Sequence, residues 1–482
     1  MILFKQNIII IFILFVFIGC AGTEKTISPE KTKPLLKERI DSILSDSVLN
    51  GVYVGIEVIN LSSNTNVYEK NSNRLLRPAS NLKLFTTAVA LEVLPGDFEF
   101  KTQVLIDGDI NNQILNGNLY LKGYGDPLLT AENLDTLAEK VSRQIKTING
   151  NLIGDISYFD DTYWGRGWAW DDEPKYFDAS ISPLTVNSNI VKIFINPGSN
   201  IGDATIIRTE PKTDLIQISN FAVTSNSLST SELSVTRNWR ERDNRIILTG
   251  SIPLQGNEER FSLSIWRPEI FTLNLFKEKL ELHGVTIRGK TIIDSISYGK
   301  LLFQTNHFLD SVITNINKTS NNLATENLLK TIGAELSGKP GSADGGVTLV
   351  KQFISHIGID TTKIIIADGS GVSRYNLISP HNITTLLRDR YNNENTFKRF
   401  YSSLPIGGTD GNLKNRFING AAKNRVHAKT GTHSDALALS GYVTTTGGDT
   451  LAFSIIVNNF TGNSKQYRDI IDKICEQLVI YE

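Results

Sequence analysis

Apolar and polar positions follow two rhythms along the chain, and they predict different elements in different stretches. From Leu35 to Leu44 the apolar residues recur at helical spacing, whereas Val52–Ile59 and Thr65–Tyr68 alternate and predict two strands about a Ser-Ser-Asn turn. After Pro78, which suits the first turn of a helix, Ala79 to Leu94 is rich in Ala and Leu on most faces, the pattern of a helix buried in a core. From about Phe98 the texture changes to short strands, Thr102–Ile106, Asn118–Leu121 and Leu152–Tyr158, punctuated by Asn-Gly and Asp-Gly, with one helix over Asn133–Ile145. Residues 190–265 alternate in short runs and predict a small all-β module. Pro268 opens a helix that Gly284 ends, and Val285–Ile293 predicts a strand. Helical texture returns at Phe308–Asn317 and Leu323–Leu336. Ile364–Ile366 predicts a strand running into the glycine-rich Asp368-Gly369-Ser370-Gly371 loop. The chain finishes with antiparallel strands over Arg425–Lys429, Ala436–Thr445 and Leu451–Asn458 and a helix over Ser464–Val479.

The first 34 residues stand outside this pattern. Lys5 gives a small positive start, Ile8 to Ile18 an apolar stretch too short to span a bilayer as a permanent helix, and Gly19-Cys20 a small residue before a cysteine, so residues 1–20 are expected to be a targeting segment. Phe17-Ile18-Gly19-Cys20 resembles the lipobox of bacterial lipoproteins. That resemblance implies acylation of Cys20, an exported protein on the periplasmic side and, with Ala21 next, retention at the outer membrane of a Gram-negative cell; an ordinary secretory signal with an incidental cysteine is the alternative. Residues 21–34 are polar and Pro-bearing, as a tether would be.

Composition narrows the function classes. A chain of 482 residues is too long for one ordinary core, so two or three domains are expected. A net charge of −1 with 40% hydrophobic residues argues against disorder and against a basic nucleic-acid surface. The six histidines lack metal-ligand spacing, so neither a metal nor a cofactor is expected. Cys475 falls in the amphipathic last helix, where burial accounts for it.

Three short motifs carry candidate chemistry. Ser80 and Lys83 lie three positions apart at the start of the apolar helix, close enough for an amine to take a hydroxyl proton if its surroundings keep it partly neutral. Ser-x-x-Lys recurs at Ser28/Lys31 and Ser297/Lys300, but without that apolar helical setting. Ser320-Asn321-Asn322, between two predicted helices, can point a hydroxyl and a carboxamide into one cleft. His427-Ala428-Lys429-Thr430-Gly431-Thr432 reads as a strand with Lys429 facing that cleft and Gly431 leaving room for substrate backbone. A fourth stretch, Tyr163 to Pro174, sets Trp168 and Trp170 beside Asp171 and Asp172, which suits an amine-bearing ligand or a loop corner in which the carboxylates pair with Arg166.

S-x-x-K, S-x-N and K-T-G in this order resemble the signature of penicillin-binding proteins and serine β-lactamases. Ser80 and Ser320 stand 240 positions apart, and that insertion is similar to the class C low-molecular-mass penicillin-binding proteins, D-alanyl-D-alanine carboxypeptidase/endopeptidases. Gly123–Pro127, Trp170–Pro174 and Asp368–Leu377 agree, while Asn321 stands where many members have Asp. The resemblance implies an α+β multidomain fold: a β-lactamase/transpeptidase-like catalytic domain, an antiparallel sheet with helices on both faces, over 35–97 and 300–482. Two mainly β domains are inserted after the nucleophile helix, domain II over 98–189 and 266–299 and domain III over 190–265. It further implies Ser80 as nucleophile, Lys83 as base, Ser320 relaying a proton with help from the charge of Lys429, which should also lower the pKa of Lys83, and backbone N–H groups of Ser80 and Thr432 as oxyanion hole. Asn322 would hold the substrate amide, Lys429, Thr430 and Thr432 the terminal carboxylate, and Asp172, in preference to Asp171, the free amine of the stem peptide. Expected partners are peptidoglycan stem peptides, β-lactam antibiotics as covalent inhibitors, and the membrane through a lipid anchor. The alternatives are a serine β-lactamase, disfavoured because no Glu-x-x-Asn lies between Asn322 and Lys429, and a catalytically silent peptidoglycan-binding lipoprotein, disfavoured because every catalytic side chain is present.

Overall fold

The computed structural model describes residues 35–481, so Cys20 and the tether lie outside the described residues. Strand alternation builds the central element. Five strands form one antiparallel sheet in the order Thr65–Lys70, Tyr53–Asn60, Thr450–Asn458, Ala436–Thr444 and Val426–Thr432, which leaves Val426–Thr432 at an edge. Its two-residue period sorts side chains to opposite faces. Leu437, Leu439 and Val443 pack with the helices Leu36–Leu44 and Ser464–Val479 on one side. Ala438 and Tyr442 pack on the other with the helices Lys83–Val93, Asn322–Leu336 and Pro380–Asn392. The helix Lys83–Val93 is buried from Lys83 to Leu91, as its all-round apolar pattern requires.

Between the two halves of this unit the chain builds further sheets. Glu99–Ile106, Leu119–Gly123, Leu152–Asp155, Thr291–Ile293 and Lys300–Phe308 share a five-stranded sheet, covered by the helices Ala131–Ser142 and Pro268–Leu282. The expected boundary at residue 300 cuts across this sheet: Lys300–Phe308 pairs along its length with Glu99–Ile106, and the chain returns to the helical half only at Leu309. Residues 190–265 form two three-stranded sheets and one two-stranded sheet, as the alternation predicts. Val191, Ile193 and Leu248 join Val104, Leu121 and Phe271 in one apolar cluster, so the two inserted modules share a core.

Two predicted strands differ. Val285–Ile293 is broken into Thr286–Ile287 and Thr291–Ile293, which join different sheets. Ile364–Ile366 makes only a single bridge, Ile365 with Leu377. The reason is Asp368, whose carboxylate accepts from the backbone N–H groups of Gly371 and Ser373 and from Asn376 Nδ2 and Trp168 Nε1, at 2.7 to 2.9 Å. Those bonds wind the chain into a loop where a ladder would have continued.

Candidate active site

Ser80 lies in a 3-10 turn, Ala79–Leu82, that precedes the α-helix at Lys83. In a 3-10 turn residues three apart eclipse one another, and this brings Lys83 Nζ to 3.0 Å from Ser80 Oγ. Ala79 has φ 45, a left-handed conformation unusual for a residue with a Cβ, so the backbone is strained one residue before the hydroxyl. Packing holds the turn in place from both sides. A Cβ on Gly371 would stand 2.0 Å from the Ala79 carbonyl oxygen, and one on Gly431 would stand 2.6 Å from that of Pro78. Gly431 therefore makes room for the turn that carries Ser80. Asn81, fully buried beside Ser80, donates to the Lys429 carbonyl at 2.6 Å and ties the turn to the edge strand.

Lys83 Nζ donates to Asn322 Oδ1 and to the Ser370 carbonyl, both at 2.6 Å. Burial lowers its pKa to about 7, while Asp368 and Glu326 oppose the shift. Burial is thus the leading cause of the lowering. Lys429 is itself lowered, by burial first and by Lys83 second. Its Nζ donates to Ser320 Oγ at 2.8 Å and to the Thr430 carbonyl at 2.9 Å. Ser320 has φ 62, the left-handed residue that ends the helix Leu309–Thr319 and turns the chain into Asn322–Leu336. That sharp corner is what brings Ser320 and Asn322 to one cleft.

Sequence reasoning missed three supports. Asn322 Nδ2 donates to the Phe177 carbonyl at 2.7 Å, so both ends of its amide are engaged inside the protein and the inserted segment is bonded to the residue that holds Lys83. Glu326, buried behind the site, accepts from the N–H groups of Gly369 and Ser370 and so fixes the carbonyl that Lys83 uses. Asp178 is 1% exposed, and burial first, then Asp172, Glu173 and Asp368, push its pKa up to about 8. A buried carboxylate on a loop leaves no periodic mark in the sequence; Asp178 lies just beyond the acidic run that does.

A cleft of about 750 Å³ joins these groups. Ser80, Ser320, Asn322, Thr430, Thr432 and Asp172 line it. Asp171 is exposed and does not. Asp172 pairs with Lys175 at 2.6 Å rather than with Arg166, and it is the one carboxylate lining the cleft. Among the described residues no three His, Cys, Asp or Glu side chains stand together as a metal would require.

Fold and constellation together define a serine hydrolase on a β-lactamase/transpeptidase-like scaffold. A sequence profile of the D-Ala-D-Ala carboxypeptidase 3 (S13) family matches residues 36–478, and the chain belongs to that family. It is 34% identical over 444 residues to a D-alanyl-D-alanine carboxypeptidase of Actinomadura sp. (strain R39), covering 89% of this chain and 81% of the relative. Among solved structures, penicillin binding protein 4 of Haemophilus influenzae superposes with a TM-score of 0.80 at 25% identity, over 91% of this chain and 98% of that one. Another structure of the same Haemophilus protein holds a β-lactam; it superposes with a TM-score of 0.76 at 24% identity, over 92% and 99% of the respective chains.

Proposed function

We propose that the cleft hydrolyses the bond between the two terminal D-alanines of peptidoglycan stem peptides, as a serine carboxypeptidase, and the equivalent D,D cross-link as an endopeptidase. The supporting observation is the coordination of Lys83. Two of its N–H groups are used by the Asn322 and Ser370 oxygens, so when the amine is neutral its lone pair is the group that faces Ser80 Oγ. Ser80 attacks the penultimate carbonyl while Lys83 takes its proton. Backbone N–H groups of Ser80 and Thr432 stabilise the oxyanion, typically about 3 to 4 kcal/mol per donor in such sites. Collapse breaks the C–N bond, and Ser320, hydrogen-bonded to Lys429, passes a proton to the departing D-alanine amine. Water then releases the acyl group from Ser80. An anionic terminal carboxylate beside Lys429, Thr430 and Thr432 draws the proton back onto Lys429, because an opposite charge offsets its burial.

Asn322 acts in this scheme chiefly by holding Lys83. An extended peptide fits along the Lys429–Thr432 part of the edge strand as an added strand. The β-lactamase reading is not favoured, since Glu326, the glutamate buried behind the site, is committed to backbone amides.

A substrate of this kind lies outside the cytoplasm, and the chain is an exported protein; acylation of Cys20 and tethering to the outer membrane extend that reading. The deciding experiment is incubation with benzylpenicillin followed by intact-mass measurement. One adduct is expected on the wild type and none on Ser80→Ala. An adduct surviving in the variant overturns the assignment of the nucleophile.

A further inference from the structure

Beside the catalytic cleft, and sharing Ala169 with it, lies a second cavity of about 350 Å³ between the inserted segment 164–178 and the turn Trp239–Arg242 of the 190–265 module. Its walls are aromatic. Trp164 stacks on Trp266 with ring centres 5.2 Å apart and planes at 10°, and Trp170, 72% exposed, stands 5.2 Å from Trp239. Arg240 lies over Trp239 and Arg242 over Trp266, so two guanidiniums flank the cavity.

Three polar atoms belonging to its lining residues are buried without any hydrogen-bond partner in the protein: the indole N–H of Trp164, Oε2 of Glu173 and Oδ1 of Asp178. Glu173 spends its other oxygen on buried Arg237. Those atoms lie behind the cavity wall, so the wall itself sets what the cavity can take. Arg240 and Arg242 repel an ammonium, Glu173 and Asp178 repel a carboxylate, and the tryptophans offer flat apolar faces. The complement is an uncharged ring with C–H faces for the indoles and a rim of groups that both donate and accept.

We propose that this cavity is a saccharide subsite, which takes a pyranose bearing hydroxyl and acylamino groups from the glycan strand to which the stem peptide is attached. The inference rests on the peptidoglycan reading of the cleft and adds a seat for the sugar. The pKa of Asp178, near 8, lets that carboxyl donate as well as accept at neutral pH. Asp172 of the cleft and Asp178 of the cavity lie six residues apart on one segment, so a ligand spanning both is read by a single stretch of chain.

The test uses the whole exported chain and a sugar without any peptide, the trimer of N-acetylglucosamine, in titration calorimetry. Saturable binding to the wild type is expected, weakened about tenfold or more in Trp239→Ala and in Arg240→Ala, the latter an exposed position that keeps the test intact if the tryptophan variant folds poorly. A parallel assay compares kcat/KM on disaccharide-pentapeptide with that on the free pentapeptide. The ratio is expected to be about ten or more for the wild type and to fall towards one in either variant. Absence of trimer binding to the wild type, or an unchanged ratio in both variants, overturns the subsite. Equal losses on both peptides assign the cavity to the peptide instead. Failure of the carboxypeptidase reading shows separately, as no D-alanine release from either substrate by the wild type.

Discussion

As the proposed base, Lys83 would set the pH at which the enzyme works. Its pKa near 7 means that the neutral, reactive amine is gained as pH rises through that value. The rate of penicillin acylation is therefore expected to increase about tenfold per pH unit below pH 6 and to level off above pH 8, and stopped-flow acylation across that range checks it. A profile flat from pH 5 to 8 would remove Lys83 as the base. Asp172 sets a second expectation at this scale. In the proposed reading a substrate amine would replace its partner Lys175, and since ion pairs near the surface contribute about 1 kcal/mol or less, that exchange would cost little. On peptides with a free side-chain amine, Asp172→Asn is expected to lose about tenfold in kcat/KM, roughly 1.4 kcal/mol, while acetylated peptides change little. Equal losses on the two would leave Asp172 a structural role only.

At the scale of elements, the nucleophile turn depends on the edge strand and the Asp368–Gly371 loop approaching it within contact distance. Gly431→Ala puts a methyl into the Pro78 carbonyl, and overpacking of this kind typically costs about 1 to 3 kcal/mol. The expected result is acylation slowed tenfold or more with only a modest fall in melting temperature; wild-type acylation rates in the folded variant would show that the turn tolerates displacement. Much at this scale was legible in the sequence. The helix Ser464–Val479 falls on the residues its pattern predicts, and the three motifs converge because each sits at a recognisable helix start, corner or strand. The strand misread at Ile364–Ile366 shows the limit. Three isoleucines promise a ladder, but Asp368 gathers three donors from the next eight residues and a fourth, Trp168, from 200 positions away, and hydrophobic periodicity reports none of these bonds. The same holds for Phe177, whose backbone carbonyl, not its side chain, reaches Asn322.

For the whole molecule, the insert is joined to the chemistry directly, through Phe177 to Asn322 and through Trp168 to Asp368. The expectation for the native protein concerns the other end of the chain. If Cys20 carries lipid, cell-made protein partitions into detergent and Cys20→Ser releases it or stalls its export, since two or more acyl chains are needed for stable anchoring. Recovery of the unaltered protein in the soluble fraction would point to a plain secretory signal.

The edge strand has a consequence for what can approach the sheet. Its first half is already engaged: Gly407 donates to the Val426 carbonyl and Ala428 to that of Pro405, while Lys429–Thr432 has no further strand beside it. An open sheet edge ordinarily invites any extended chain, and proteins guard against this by shortening or covering it. Here the opening is about four residues long and faces the cleft that Asp172 also lines. That is shorter than the strands of about five to six residues by which sheets usually join, so its length matches a short peptide better than a full strand of another protein.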